Sequence, residues 1–476
     1  MSHPTDSVLD AMRSGTASDR EIIRRAYDVA ERVHGGELRK SGEPYIVHPL
    51  AIAQTLADFG MDCDTIAAGI LHDTIEDTPY TLKELVHDFG PTIGFLVESV
   101  TKLSKLKYRG LERHVESLRR LLVATAADVR VIVIKLADRL HNMETIQFVE
   151  ERKQLRIAQE TLEIYVPIAE RLGMGYFKSQ LQDLAFKVVN PNGYAAADEF
   201  MTQKTSEMQV SLTEALKDIK RELGLAGIRD FSSEMRVKGL ASFAEKLRKK
   251  DGAVERIYDL FAIRIIVPTI GDCYRVLGVV HSTWRPIPGR VKDYIAYPKP
   301  NGYRSIHTAV TTPRGLTIEI QIRTHEMHRE SQFGSVSHLS YKHGQVKWLA
   351  ELSQTLQESD TAHIPEILKQ DYLAERIFTF TPAGDAIDLP TGATPVDFAY
   401  AIHSDLGDRA TGALVNGKLV TLETELMNGD HVEIKTRKDG APNRKWLAFV
   451  KTAGARKHIR NTLGLQKKPR SKKSKG

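Results

Sequence analysis

The sequence predicts a multidomain chain: an all-helical unit, then an α+β unit, then a small unit of short strands around one helix. Three observations carry that expectation. Apolar residues recur at helical spacing from Glu21 to about residue 190, with few strand-like runs. Beyond that point the reading becomes mixed, with branched and alternating runs. Residues 375–437 hold short apolar runs punctuated by glycine-containing turns. The 476 residues suggest two to four domains, and 41% apolar with 27% charged residues is ordinary for a globular protein.

Residues 1–19 are polar and read as a flexible start. From there to residue 190 the helical faces follow in order. Ile22, Ile23, Ala26, Tyr27, Ala30 and Val33 form the first, and similar faces cover 64–76, 81–97, 115–146 and 153–172. The turn cluster Asn190-Pro191-Asn192-Gly193 marks the first boundary, and a charged helix spans about 195–223. The second unit, 191–345, then turns mixed. Leu260 to Val267 is a strand by its branched residues, and Ser305 to Thr311 is another. Leu316, Ile318, Ile320 and Ile322 alternate with Thr317, Glu319, Gln321 and Arg323, so one face is apolar and the other polar. Pro313-Arg314-Gly315 joins the last two strands as a hairpin. Residues 346–374 read as a helical connector. In 375–437, Ile377 to Thr381 and Val432 to Lys435 are strands and Pro395 to Ser404 a helix. Residues 438–476 are an extension.

The net charge of +6 sits at one place. Lys467, Lys468, Arg470, Lys472, Lys473 and Lys475 equal the whole excess of basic over acidic residues. The body is neutral, and the tail is a solvated end or a weak contact for an anionic surface. Cys63 and Cys273 are far apart, which excludes a disulfide framework or thiolate zinc site and fits a reducing cytoplasm. No apolar stretch is long enough to span a membrane, and the first ten residues lack a secretory pattern.

The first chemistry lies in the helical unit. His72-Asp73 falls late in a helix read as Asp64 to Asp77, with Glu76 and Asp77 one turn on. Three carboxylates and an imidazole on one side repel unless a cation or proton relieves them. His48 precedes Pro49 at a helix start. Asp138 shares one face with Asn142 and Thr145 at i, i+4 and i+7. Two imidazoles and two carboxylates suit a divalent first-row ion, which favours phosphate-ester hydrolysis. The plainer reading makes His72-Asp73 a helix-end ion pair and Asp138 a surface charge.

Three runs carry a resemblance. Arg39-Lys40-Ser41-Gly42-Glu43-Pro44-Tyr45-Ile46-Val47-His48-Pro49, Leu71-His72-Asp73-Thr74-Ile75-Glu76-Asp77-Thr78, and Lys135-Leu136-Ala137-Asp138-Arg139-Leu140-His141-Asn142-Met143 resemble the HD hydrolase domain of the RelA/SpoT homologue family. These enzymes make and destroy the guanosine alarmones ppGpp and pppGpp. The resemblance implies that His48, His72, Asp73 and Asp138 bind Mn2+. It implies that Glu76 and Asp77 orient the attacking water, and that Arg39, Lys40, Ser41, Asn142 and Thr145 line the nucleotide pocket.

In the α+β unit, Arg236, Lys238, Lys246, Arg264, Arg290, Lys292, Lys299, Arg304 and His307 fall at intervals, with Asp259 and Glu319 among them. Two triphosphates in one pocket need about that much positive charge. A carboxylate there can hold magnesium or take a proton. The plainer reading is a solvated surface. Arg236-Val237-Lys238 with Lys246, Tyr258-Asp259-Leu260, Lys299-Pro300-Asn301-Gly302-Tyr303-Arg304-Ser305-Ile306-His307 and Glu319-Ile320-Gln321-Ile322-Arg323 are similar to the family's synthetase, a nucleotidyltransferase-like α+β domain. That resemblance implies transfer of pyrophosphate from ATP to the 3′-hydroxyl of GTP or GDP. Asp259 would hold Mg2+, Glu319 would act as catalytic base or second metal ligand, and Tyr303 would stack on the base. Arg236, Lys238, Lys246, Arg264, Lys292, Lys299, Asn301 and His307 would complete the nucleotide contacts. Arg290-Val291-Lys292-Asp293 has the Arg-x-Lys-Asp form of bifunctional members. Ser337-His338-Leu339 departs from the family, which carries tryptophan where Leu339 stands.

Phe378 to Asp385, Leu389 to His403, Val415-Asn416-Gly417 and Asn428 to Ile434 resemble a TGS domain, a small β-grasp module. In long members it meets tRNA on the ribosome, which implies a contact at His403; the plainer reading is a helix-terminal histidine. The resemblance thus implies a bifunctional cytoplasmic enzyme that hydrolyses (p)ppGpp to GTP or GDP plus pyrophosphate and also synthesises it. Two alternatives stand beside it: a hydrolase with a silent, nucleotide-sensing synthetase, and a non-catalytic tRNA- or ribosome-binding regulator.

Overall fold

The computed structural model describes residues 3–12, 15–104, 122–253, 259–299, 301–334 and 376–465. The chain divides into two compact units, Met1–Glu358 and Ser359–Gly476. The connector at 346–374, the Leu339 segment, the basic tail and part of the helix expected over 115–146 lie outside the described residues.

The first unit opens with helices. Ala17–Val33 starts with a capping box between Thr16 and Asp19, and buries Ile23, Ala26, Tyr27 and Ala30 of the expected face. Val47–Asp58 places His48 and Pro49 in its first turn, both buried. Cys63–Leu71 is capped by Asp62, which accepts from the Thr65 amide, and is buried at every residue except Asp64. The helix expected to run on to Asp77 stops at Leu71. The Thr74 hydroxyl takes the Leu71 carbonyl at 2.7 Å, and a separate turn, Thr74–Asp77, follows. A side-chain hydroxyl competing for a helix carbonyl is the local cause. Glu76 and Asp77 still follow Asp73, through backbone bonds from their amides to its carbonyl, each 3.0 Å.

Leu82–Ser104 breaks at Gly90, whose φ of +86° is left-handed, just before Pro91. Arg130–Glu144 is the third site helix and buries Lys135 and Asp138. Glu151–Glu160 passes through a wide turn, Thr161–Tyr165, into Val166–Arg171. Pro167 lacks an amide proton, and there the ladder slips: the Val166 amide bonds the Thr161 carbonyl. Gly175–Val189 ends the helical half. The cluster read as a turn at Asn190 proves to be a helix start. Asn190 accepts from the Gly193 amide and Pro191 takes the first position of a 35-residue helix, Pro191–Leu225.

Six strands follow: β1 (Ser232–Val237), β2 (Phe261–Val267), β3 (Arg285–Pro286), β4 (Lys292–Asp293), β5 (Ile306–Thr311) and β6 (Thr317–Thr324). Their order is β1-β2-β6-β5-β3, with β4 also on β5. Only β2–β6 is parallel. The expected β5–β6 hairpin is present, with Val310 opposite Ile318, and Gly315 turns it at φ +79°. Ile263, Ile265, Ile306, Val310, Ile318, Ile320 and Ile322 bury one face against helices Pro191–Leu225 and Ile270–Thr283. Strand alternation leaves Glu234, Arg236, Arg264, His307, Glu319, Gln321 and Arg323 on the other.

The two halves of this unit meet closely. The Asn301 side-chain amide donates to the Glu170 carbonyl at 3.0 Å. A Cβ on Gly173 would lie 2.7 Å from the Asn301 carbonyl, and one on Gly334 2.4 Å from that of Leu172. The Phe59 ring, just after helix Val47–Asp58, stands edge-on to Phe333 at 4.7 Å.

The second unit pairs β7 (Arg376–Phe380) with β8 (Ala386–Pro390), and β9 (Ala410–Val415) with β10 (Lys418–Val420) and β11 (Val432–Thr436). Helix Pro395–Ile402 packs across them. The extension is not an appendage here. Trp446, Val450, Ala455 and Ile459 share a core with Val396, Ala399 and Tyr400. Fully buried Asp397 ties the two parts. One oxygen accepts from the Thr394 amide and hydroxyl, the other from the Lys451 amide and the Thr452 amide and hydroxyl.

Two candidate active sites

The first site forms where three helix segments converge. His48, His72 and Asp138, all buried, offer ligand atoms within 4.8 Å of one another. His48 Nε2 is 3.5 Å from Asp138 Oδ1. His72 Nδ1 lies 2.9 Å from the Gly69 carbonyl, which accepts only, so Nδ1 carries a proton, and in the neutral ring the lone pair is left to Nε2. That Nε2 is buried without a hydrogen bond, 2.9 Å from Asp73 Oδ2. An orphaned ring nitrogen facing carboxylates and a second imidazole is a donor set that fits a divalent cation. Asp73 stands at the rim of the cluster, where the Tyr45 hydroxyl donates to its Oδ2 at 2.6 Å.

Charges around the site hold it in readiness. Asp138 accepts from Lys135 Nζ at 2.8 Å and from the Asn142 amide at 2.5 Å. Burial would raise its pKa, but Lys135 and the two histidines hold it well below the carboxylate range. Burial pushes the His48 imidazole down, toward the neutral form a metal requires. His141 is lowered to about 4, mainly by burial, with His48 and Arg39 adding to it.

The other expected residues spread outward. Arg39 reaches His141 Nδ1 at 2.8 Å and Asn142 Oδ1 at 3.0 Å. Ser41 donates to Glu43, and Lys40 is exposed. Thr145 turns its hydroxyl back to the His141 carbonyl. Glu76 is half-buried, and Asp77 Oδ2 lies 3.5 Å from the Tyr45 hydroxyl. Sequence reasoning assigned no role to Tyr45, Lys135 or His141. Lys135 and His141 stand three residues before and after Asp138, the helical spacing that would have found them.

The second site occupies the polar face of the sheet. Asp259 accepts from Lys238 Nζ at 2.8 Å and from Lys246 Nζ. Burial would raise Asp259, but the two ammoniums hold it at about 2. Both ammoniums thus pair with the carboxylate expected to hold Mg2+. Arg264 pairs with Glu234, and Arg236 lies opposite Ala262 on exposed β1. Lys292 lies opposite His307 across β4 and β5.

A connected network crosses this face. Arg323 Nη2 donates to the Tyr303 hydroxyl at 2.7 Å. The Glu319 carboxylate only accepts, so the neutral His307 imidazole carries its proton on Nδ1 and takes the phenol proton at Nε2, also at 2.7 Å. His307 then presents its Nδ1 proton to Glu319 Oε1 at 3.3 Å, and Gln321 donates to the same oxygen at 2.6 Å. Burial alone would raise Glu319, yet these partners hold it below its ordinary value. Lys299 sits over the rings of Tyr294 and Tyr303, 4.7 and 5.0 Å from their centroids. Burial, with Lys292 and Lys178 nearby, lowers it to about 8. Asn301 is engaged with Glu170 of the helical half, and its Oδ1 accepts from the Tyr303 amide at 3.2 Å. Arg323 and Gln321 had no assigned role in the sequence, although their alternation with Glu319 places all three on one face.

In the second unit His403 is exposed at a helix junction. Its Nδ1 accepts from the Asp405 amide at 3.2 Å, which caps the next short helix. Among the described residues no helix is long and apolar enough to cross a membrane.

Comparison with known proteins agrees with this division. A model described as HD domain matches residues 26–175, one described as a region found in RelA / SpoT proteins matches 235–346, and one for the TGS domain matches 377–436. A GTP pyrophosphokinase of Myxococcus xanthus is 43% identical, over 95% of this chain and 62% of its own length. Another GTP pyrophosphokinase, of Streptomyces coelicolor, is 45% identical over 92% of this chain and 55% of its length. The guanosine-3′,5′-bis(diphosphate) 3′-pyrophosphohydrolase of Aquifex aeolicus is 43% identical over 97% of this chain and 67% of its length. The chain thus spans between about half and two thirds of these relatives.

Proposed function

This chain belongs to the RelA/SpoT family, and from that premise we propose that it is a bifunctional alarmone enzyme. One site removes the 3′-pyrophosphate of ppGpp or pppGpp, and the other transfers pyrophosphate from ATP to the 3′-hydroxyl of GTP or GDP. The observation that carries the proposal is that one chain holds both sites, the His48–His72–Asp138 cluster and the Arg323–Tyr303–His307–Glu319 network. Relatives bearing both kinds of name support it.

In the hydrolase, His48, His72 and Asp138, with Asp73 at the rim, would hold Mn2+. A divalent ion there supplies Lewis acidity, making water more acidic and drawing charge from a phosphoryl oxygen. The chain's own residues do the rest. Asp77 and Glu76 stand beyond Asp73 to orient the attacking water. Arg39, fixed between His141 and Asn142, offers a guanidinium to the substrate's phosphates.

In the synthetase, Glu319 takes the proton of the acceptor 3′-hydroxyl. His307 and Gln321 orient its carboxylate, and that carboxylate, which only accepts, fixes the His307 tautomer in turn. Tyr303 and Lys299 receive the acceptor nucleotide. Arg236, Lys238, Lys246 and Arg264 gather the donor's charge. Catalysis here depends on placing two phosphate-bearing substrates together, which a basic sheet face supplies.

The test is one assay on the purified chain in two arms. One receives ATP, labelled GTP and magnesium; the other receives labelled ppGpp and manganese. Product in both arms is expected. Product in neither would overturn the proposal, and hydrolysis alone would reduce the second site to nucleotide sensing.

A further inference from the structure

We propose that Tyr45 is a positioning residue for the Asp73 carboxylate, and that His34 and Glu37 hold its ring in place. This rests on the metal-site reading above and adds to it the group that aims one ligand.

The supporting structure is a short hairpin ahead of His48. The Arg39 amide bonds the Glu43 carbonyl at 2.8 Å, and Gly42, at φ +86°, turns the chain. The Tyr45 amide then bonds the Glu37 carbonyl at 3.0 Å, which fixes where the side chain leaves the backbone. Its ring stacks on His34, with centroids 4.3 Å apart and planes 21° apart. His34 is 3% exposed, and its Nδ1 lies 2.8 Å from Glu37 Oε2. One residue, Glu37, thus anchors the tyrosine backbone and the imidazole on which its ring rests. The phenol has one mobile torsion left, the hydroxyl rotor, and it points at the site.

That hydroxyl donates to Asp73 Oδ2 at 2.6 Å. The same oxygen is 2.9 Å from His72 Nε2 and 3.8 Å from His48 Nε2, so it faces both imidazoles. A carboxylate turns broadly about its last torsion, and a short bond from a rigid phenol selects one orientation. Tyr45 has one proton, so its 3.5 Å approach to Asp77 Oδ2 is a second, weaker contact. Asp73 is the most exposed member of the expected ligand set, with 16% of its side chain accessible against 9% or less for the other three. It is therefore the ligand whose aim most needs outside support. Phenylalanine in place of Tyr45 keeps the stack and loses only the donor.

Manganese binding is the readout, followed by the EPR signal of the free aqua ion and independent of turnover. Tyr45→Phe is expected to weaken Mn2+ affinity by about 10-fold or more, the scale for an outer-shell partner, with an unchanged melting temperature. His34→Ala is expected to weaken it less, and the double variant no more than Tyr45→Phe alone, because both act through one ring. Equal affinity in wild type and Tyr45→Phe overturns the proposal. Absence of Mn2+ binding in wild type instead overturns the metal-site reading. If Tyr45→Phe does not fold, Glu37→Ala takes its place: a loss of affinity supports the proposal, and none overturns it.

Discussion

His72 Nδ1 donates to the carbonyl oxygen of Gly69 at 2.9 Å, three residues back along its own chain. The bond decides which ring nitrogen can bind a cation. His72→Ala should cost more Mn2+ affinity than the roughly 10–100-fold typical of an outer-shell partner. Hydrolysis should disappear while pyrophosphate transfer persists. Parallel assays of both reactions and a metal titration check this; hydrolysis that survives in His72→Ala would remove the cluster from the mechanism.

Tyr303 should separate binding from chemistry. Tyr303→Phe keeps the ring and removes the hydroxyl between Arg323 and His307. Because the hydroxyl positions the base rather than being it, kcat for transfer should fall by about 10- to 100-fold, at or below the lower end of general-base contributions. KM for the acceptor should move little. A change confined to KM would mean that the network serves binding alone.

Lys299 gives the acceptor site a pH dependence. Burial, with Lys292 and Lys178 nearby, pushes its ammonium down to about 8. A phosphate binds the charged form, so above pH 8 binding must take up a proton. Acceptor affinity should hold up to pH 7 and fall as pH rises through 8, by at most tenfold per pH unit. Calorimetry from pH 7 to 9.5 checks the slope, and Lys299→Met should flatten it. An equally steep slope in that variant would assign the titration to another group.

Asp397 should govern the stability of the second unit. It serves the start of Pro395–Ile402 and reaches the Thr452 amide before Ala453–Thr462. Two helix caps at about 1 kcal/mol each, with buried donors left unpaired, put Asp397→Ala at about 2–4 kcal/mol. A urea titration followed at Trp446, which shares this core, reads the loss. Stability within 0.5 kcal/mol of wild type, roughly the range of an ordinary surface change, would count against that role.

Gly173 marks the meeting of the two catalytic halves. At φ +73°, and with a Cβ placed 2.7 Å from the Asn301 carbonyl, alanine is strained both within the backbone and against the neighbour. Gly173→Ala should destabilise the first unit by more than about 1 kcal/mol, the ordinary scale for alanine replacing a left-handed glycine. Thermal unfolding checks it, and an unchanged melting temperature would mean that the seam yields freely.

Local pattern made much of this fold legible. The β5–β6 hairpin follows from alternation and a glycine turn, and the helical half from apolar spacing. Local pattern failed where a single side chain overrode it. The Thr74 hydroxyl ended a helix that periodicity carried to Asp77, and Asn190 turned an apparent loop into a helix start. The extension looked separable because nothing in its own sequence names the partner of Thr452.

By itself the sequence determined the order of three units and the chemical types gathered in each. It also fixed which strand residues share a face, because a two-residue period leaves no choice. Only the tertiary structure decided which atoms meet. It brought His48, His72 and Asp138 together from three segments and left Asp73 at the rim under Tyr45. It closed Asp259 between two lysines and gave Glu319 its direction through His307. Those outcomes depend on distances of a few ångströms between residues as far apart along the chain as His48 and Asp138. Packing sets such distances; spacing along the chain does not.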